Sequence, residues 1–336
     1  MTAPAAATTH TASETDLPLP AHKPSVRSTR RSIREITLSK AITVAMVLSH
    51  QAGLPYWQGQ LPKGALLDWQ LAARRLAEEA PVWEPGTRHG YHAVTLGFLE
   101  GEIVRRITGR TIGQFLREEL AEPLGADVWI GLPETEEPRV STVYLGEADP
   151  NSSFFAKLMA EPDWDGWKMV NNSGEDISPE SVNSRARHAA EIPAAGGIMS
   201  ARGLARIYSA LSLDGSIDGI RVVSADALPG MRTTRSASSC DLLLRLPTTF
   251  TLGFSKSWGR RQDGEGSYVI IGEQAFGTPG FGGNMGFADG QARLAFGYVM
   301  NSHGPGTGLN TRGQSLIDAA YRAVGFRTSA PGFWIA

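Results

Sequence analysis

Cysteine, lysine and net charge are all scarce in this chain. Its 336 residues hold one cysteine, Cys240, which excludes an intramolecular disulfide framework. Cys240 follows the Ser/Thr-rich stretch Thr233 to Ser239 and reads as an incidental thiol rather than a nucleophile. A formal net charge of −2 supplies no general attraction to nucleic acid or to an anionic membrane, so neither is an expected partner. No apolar run approaches the length of a membrane span; the longest relevant one, Ala41 to Leu48, is short and contains Thr43. The first 30 residues lack an apolar core of signal-peptide length, which makes a cytoplasmic location the expectation. No His/Cys/Asp cluster has metal-ligand spacing and no glycine-rich loop has a phosphate-binding pattern, so no metal or organic cofactor is expected. A Gly-x-Ser-x-Gly elbow is also absent, which leaves an α/β-hydrolase without support. The six lysines are Lys23, Lys40, Lys63, Lys157, Lys168 and Lys256. Three positions before them stand Pro20, Thr37, Gln60, Phe154, Asp165 and Gly253, so no Ser-x-x-Lys occurs.

What is present organises into a tail and a body. Residues 1 to about 35 are rich in Ala, Thr, Ser and Pro and are expected to be a disordered tail. Residues 36–336 form the expected domain, with a helical part over about 42–215 and a sheet part over about 220–336. A short helix precedes the turn at Gly53-Leu54-Pro55. A second is expected over Leu66 to Ala80, with Leu67, Leu71 and Leu76 on one face. A third runs from His92 to Thr108, with Val94, Phe98, Ile103 and Ile107 as its buried stripe, Glu100 facing outward, and Gly109 as its stop. Thr111 and Gln114 have capping-box spacing, and Ser200 caps a helix to Ser212. Residues 133–180 read as an irregular or helical insertion over the mouth of a site. Beyond residue 220, Thr249 to Phe254, Asn284 to Ala288 and Arg293 to Asn301 are strand-like, with Asp289-Gly290 as a hairpin turn. Thr311 to Val324 closes the chain as an amphipathic helix. Helices followed by antiparallel strands imply an α+β fold with helices packed on a sheet.

Two segments about 190 residues apart carry the chemistry. One is Trp83-Glu84-Pro85-Gly86 leading to Gly90-Tyr91-His92-Ala93; the other is Gly277-Thr278-Pro279-Gly280-Phe281-Gly282-Gly283. Between and before them stand, in order, Leu48-Ser49-His50, Thr108-Gly109-Arg110, Pro123-Leu124-Gly125 and Ala194-Ala195-Gly196-Gly197. This ordered set resembles the β-lactamase-related serine hydrolases, the class C β-lactamase and penicillin-binding-protein type, and is most similar to the family VIII carboxylesterase-like branch. The resemblance covers roughly residues 40–325 and implies a β-lactamase/transpeptidase-like fold.

The resemblance implies that a serine attacks an acyl carbonyl with a Ser-x-x-Lys lysine beside it, that Tyr91 occupies the general base/acid position, and that backbone N–H groups bind the oxyanion. Thr278, Gly280 and Phe281 then belong to the strand that lines the substrate, with the Phe281 N–H as an oxyanion donor. His92 and Asn183 are pocket candidates, whereas His50 reads as a structural residue of the Gly53 to Pro55 loop. Ala93 stands where class C enzymes carry a hydrogen-bonding Asn, which favours simple esters or amides as small-molecule substrates. Thr37, in Thr37-Leu38-Ser39-Lys40, is the only hydroxyl at nucleophile spacing and is a weak candidate. The matched segments begin after the place where the family puts its nucleophile helix and first strands, so both are expected to be missing. That leaves an open sheet edge and an expectation of marginal stability or of rescue by association through that edge. Two readings stay open: an ester or amide hydrolase by descent, and a catalytically inactive member that binds a ligand or partner.

Overall fold

Side-chain caps set most of the helix starts. The structure, a computed structural model, describes residues 42–146, 158, 160–261, 268–304, 308–328 and 333–336; Thr37 and the expected tail over residues 1–35 lie outside the described residues. Thr43 accepts the Met46 N–H and opens the helix Val44–Leu48. Asp68 does the same for α1 (Trp69–Ala77). Helix α2 (Thr95–Thr108) stops at Gly109, whose φ of 73° lies in the left-handed region that glycine enters freely. Thr111 and Gln114 form the reciprocal capping box of Ile112–Leu116. Ser200 caps α3 (Ala201–Ser212) and Asn310 caps α4 (Thr311–Ala323).

The helix faces differ from the sequence pattern in three places. Leu67 sits in a one-turn 3₁₀ segment ahead of α1 and is 43 % exposed. Ile107, in the last turn of α2, is 78 % exposed. Helix α2 packs through small residues: a Cβ at Gly97 would lie 2.6 Å from the Ala194 nitrogen, and one at Gly101 would lie 2.3 Å from the Trp69 ring. Close backbone approach, not a long apolar stripe, buries it. That approach also half-buries Glu100, expected outward, and burial pushes its carboxyl up to about 7.

The sheet is antiparallel. Strand β1 (Ser236–Ser238) pairs with β2 (Thr248–Phe250), and Ser255 bridges Phe250 to Gly277. Strands β3 (Phe276–Pro279), β4 (Met285–Asp289) and β5 (Leu294–Tyr298) follow, with Phe287 between Gly277 and Phe296. The β4–β5 connection does not use Asp289-Gly290 as a two-residue turn. Asp289 Oδ1 accepts the N–H groups of Gln291 and Ala292, and Arg293 takes the positive φ, 48°. Every residue of β4 is buried because both faces are covered. Helix α3 lies on one face, where Tyr208 comes so close to Gly286 that a Cβ there would be 2.3 Å from its ring. On the other, Met285 and Phe287 pack with Ile271 and with Ile317 and Tyr321 of α4. Strand β5 is half-buried along its length, and among the described residues it pairs with β4 alone.

A second core, built on Trp57, Leu66, Leu76 and Phe98, holds the helical part together. The described portion of the 133–180 insertion contains Glu134–Arg139 and Asp165–Asn171; its Trp164 and Met169 pack with Leu243 and Leu244, and Tyr91 packs against that group. Among the described residues, no helix is long and apolar enough to cross a membrane.

Candidate active site

Tyr91 is held from behind by a carboxylate. Its backbone N–H points at both oxygens of Asp241, 3.1 Å from each. Its ring lies parallel to that of Phe250, with centroids 6.1 Å apart, and 5.2 Å from that of His50. In front, Tyr91 borders a narrow cleft with Leu244, Leu246, Thr248, Trp258, Pro279 and Gly308. Tyr91 and Pro279, one from each of the two distant motif segments, therefore share one cleft.

Asp241 is fully buried, and its oxygens are heavily used. They accept the N–H groups of Leu243 and Leu244 at 2.8 and 3.0 Å and the Thr248 hydroxyl at 3.0 Å, with His89 Nε2 at 3.3 Å. Burial alone would raise its pKa; the bonds from His89 and from the N–H groups of Leu244, Leu243 and Tyr91 outweigh burial and hold the carboxyl below its ordinary range. Because Thr248 donates its proton to Asp241, its oxygen accepts from His89 Nε2, 2.7 Å away. Thr248 is 1 % exposed and its hydroxyl is committed on both sides, so it is not an available nucleophile.

His92 lies away from the cleft. It is fully buried: Nδ1 donates to the Gly90 carbonyl at 2.7 Å and Nε2 accepts the Leu54 N–H at 3.1 Å. The pocket role expected of it gives way to that of a staple joining the Gly53-Leu54 loop to the Tyr91 segment. Burial pushes its pKa down to about 4, so the ring is neutral. His50, with φ 59°, accepts the His92 N–H at Nδ1, 3.0 Å away; burial, then His92, holds its pKa well below the usual imidazole range. Asn183 is likewise occupied elsewhere, bonding Val143 N and O and the Pro179 carbonyl.

The third-motif strand splits its residues between two faces, as alternation requires. Pro279 faces the cleft. Thr278, expected on the substrate side, is exposed and lies beside Tyr208 of α3 on the opposite face. The Gly280 N–H is used by the Asn284 carbonyl at 3.0 Å in the turn that follows. Phe281 is 50 % exposed, packs edge-on against His303, and finds no acceptor for its N–H among the described residues.

These contacts bias the chemistry of Tyr91. Burial first, and the Asp241 carboxylate second, push its phenol above the ordinary tyrosine value. Among the described residues, no Lys or Arg lines the cleft to offset them. At neutral pH the Tyr91 phenol therefore keeps its proton. Among the described residues, no group of three or more His, Cys, Asp or Glu is placed to hold a metal ion.

The sequence pointed to Tyr91 but not to Asp241, His89, Thr248 or Trp258. One local signal existed: an Asp ahead of Leu242-Leu243-Leu244 is suited to accept the N–H groups two and three residues on. Its reach across 150 residues to Tyr91 has no sequence signature.

Comparison with known proteins identifies the family and the fold. The sequence model of the Beta-lactamase family matches residues 35–321. The chain is 33 % identical over 265 residues to the esterase/beta-lactamase LipL of Mycobacterium tuberculosis, an alignment covering 77 % of this chain and 58 % of that protein. It thus spans less than two thirds of that relative's length. Among solved structures, a family VIII carboxylesterase superposes with a TM-score of 0.69 at 34 % identity, covering 85 % of this chain and 72 % of the other. A penicillin-binding protein homologue from Caulobacter crescentus superposes with a TM-score of 0.67 at 33 % identity, covering 84 % and 71 %. The α+β arrangement of helices and antiparallel strands described above is the β-lactamase/transpeptidase-like fold, and the chain belongs to the β-lactamase-related family of serine hydrolases.

Proposed function

We propose that this chain carries the acid–base half of an ester- or amide-hydrolysing site that works through an acyl-enzyme. The observation that carries the reading is that Tyr91 and Pro279, from motif segments far apart in sequence, border one cleft. In this reading a serine-type hydroxyl gives up its proton to solvent water as its oxygen adds to the carbonyl carbon, and the C=O electrons move onto the carbonyl oxygen. The Phe281 N–H, unclaimed among the described residues, stabilises that oxyanion. Tyr91 delivers its proton to the leaving oxygen or nitrogen as the tetrahedral species collapses, and water later releases the acid. Apolar walls from Leu244, Leu246 and Trp258, with no cation among the described lining residues, suit a neutral ester better than a substrate bearing a carboxylate.

A second reading has its own observation. No Ser-x-x-Lys occurs in the sequence, and the Tyr91 phenol, held protonated, is not available as the base that would activate the attacking hydroxyl, which favours a family member that binds a ligand or partner without turnover. Intact-protein mass after incubation with a fluorophosphonate decides between them. Hydrolysis predicts a single stoichiometric adduct that forms more slowly on Tyr91→Phe, with Thr37 the first residue to map. A folded sample that takes no adduct selects the binding reading.

A further inference from the structure

We propose that Asp241 is a positioning residue for Tyr91: a buried carboxylate that clamps the tyrosine's backbone and ties it to the cleft wall through Thr248 and His89. The inference rests on the reading of Tyr91 as the acid–base group.

Burying a carboxylate completely is costly unless every lone pair is used, so the identity of its donors shows what it is there to hold. A loop cap would need only the Leu243 and Leu244 N–H groups. Asp241 has three further partners, and two of them, Tyr91 and Thr248, line the cleft. The third, His89, lies two residues before Tyr91 and also grips Thr248 at 2.7 Å. One carboxylate therefore fixes two neighbouring wall residues that come from chain segments about 150 residues apart.

Its charge has a second effect. The ionisable groups packed around this centre are His50, His89 and His92 together with Tyr91 itself, and both His50 and His92 are held neutral by burial. Asp241 is thus the charge that Tyr91 senses, and it favours the protonated phenol. The same contact that fixes where Tyr91 stands thus adds to burial in keeping its phenol protonated.

The test needs no turnover, so it stays readable whatever the fluorophosphonate experiment gives. With 13Cζ-labelled tyrosine, the seven tyrosines give separate NMR signals, and Tyr91 is assigned by its loss in Tyr91→Phe. In Asp241→Asn the Tyr91 phenol should titrate at lower pH than in the parent. Its backbone amide should exchange roughly ten- to a hundredfold faster, the loss expected for a hydrogen bond to a charged group, while amides of α4 stay unchanged. A folded Asp241→Asn with Tyr91 titration and exchange both unchanged overturns the proposal and leaves Asp241 as a loop cap. If Asp241→Asn does not fold, Thr248→Val removes one anchor of the carboxylate. It should speed exchange at Tyr91 severalfold with α4 unaffected; unchanged exchange at Tyr91 there also overturns the proposal.

Discussion

Acidification should loosen the shell around Tyr91 by an amount that can be worked out. His92 titrates at 6.5 when exposed and at about 4 in the fold, because burial excludes its charged form. Between those values the unfolded chain binds a proton that the folded chain refuses, so stability falls as pH falls. From pH 7 to pH 5 the loss from His92 alone is about 2 kcal/mol. His50 and His303, also depressed chiefly by burial, act in the same direction. Glu100 opposes them. Its carboxyl titrates at 4.5 when exposed and at about 7 in the fold, so the folded chain holds a proton the unfolded chain releases, and stability rises as pH falls through that window. That gain is also about 2 kcal/mol between pH 7 and pH 5. Asp241, with a depressed pKa, contributes only as pH falls below the ordinary carboxylate range, outside this interval. The histidine effect is therefore best exposed in Glu100→Gln. Urea unfolding followed by tryptophan fluorescence should show that variant losing stability from pH 7 to pH 5, by about 2 kcal/mol more than the parent, with the denaturant slope unchanged and with Glu79, also raised by burial, offsetting part of the histidine loss in both. A Glu100→Gln protein equally stable at both pH values would refute the account of His50 and His92 as buried neutral rings.

Three further outcomes are expected. Gly283 has φ 111°, and a Cβ there would lie 2.1 Å from the Asn310 amide nitrogen that holds the Gly282 carbonyl; Gly283→Ala should cost about 1–3 kcal/mol and slow any fluorophosphonate reaction, and parental stability would count against the strained turn. Phe287 is fully buried between Phe296 and Tyr321, with ring centroids at 5.3 and 5.8 Å, so Phe287→Ala should lower the unfolding free energy by about 3–5 kcal/mol, against which a loss below about 1 kcal/mol would tell. Association through the outer side of β5 should appear as a sedimentation coefficient that rises with concentration; a concentration-independent monomer with a high, cooperative melting transition would argue against both association and marginal stability.

Where sequence and structure agree, the interaction is local. Thr111 with Gln114, Ser200 and Gly109 act within a turn of themselves: the first two sites open their helices and Gly109 closes its own where the pattern expects. Where they part, a long-range contact has overridden a local preference. Ile107 has the spacing of a core residue, but its helix packs through Gly97 and Gly101, and the stripe turns toward solvent before Ile107. Asp289-Gly290 has the composition of a two-residue turn, yet the Asp289 side chain captures two N–H groups and lengthens the loop. His92 follows Tyr91 in the motif, but consecutive side chains diverge, and the Leu54 and Gly90 backbones claim the imidazole.

By itself, then, the sequence determined the family, the α+β class, the helix caps and Tyr91 as the residue to watch, because each of these is written in short motifs or in a fixed periodicity. Only the tertiary structure decided that Asp241 stands behind Tyr91, that Thr248 and His89 share its charge, and that Thr278 faces helix α3 while Pro279 faces the cleft. Those facts depend on which segments meet after folding. Burial then sets the proton states, because desolvation, which acts only once water has been excluded, is the largest influence on both His92 and Tyr91.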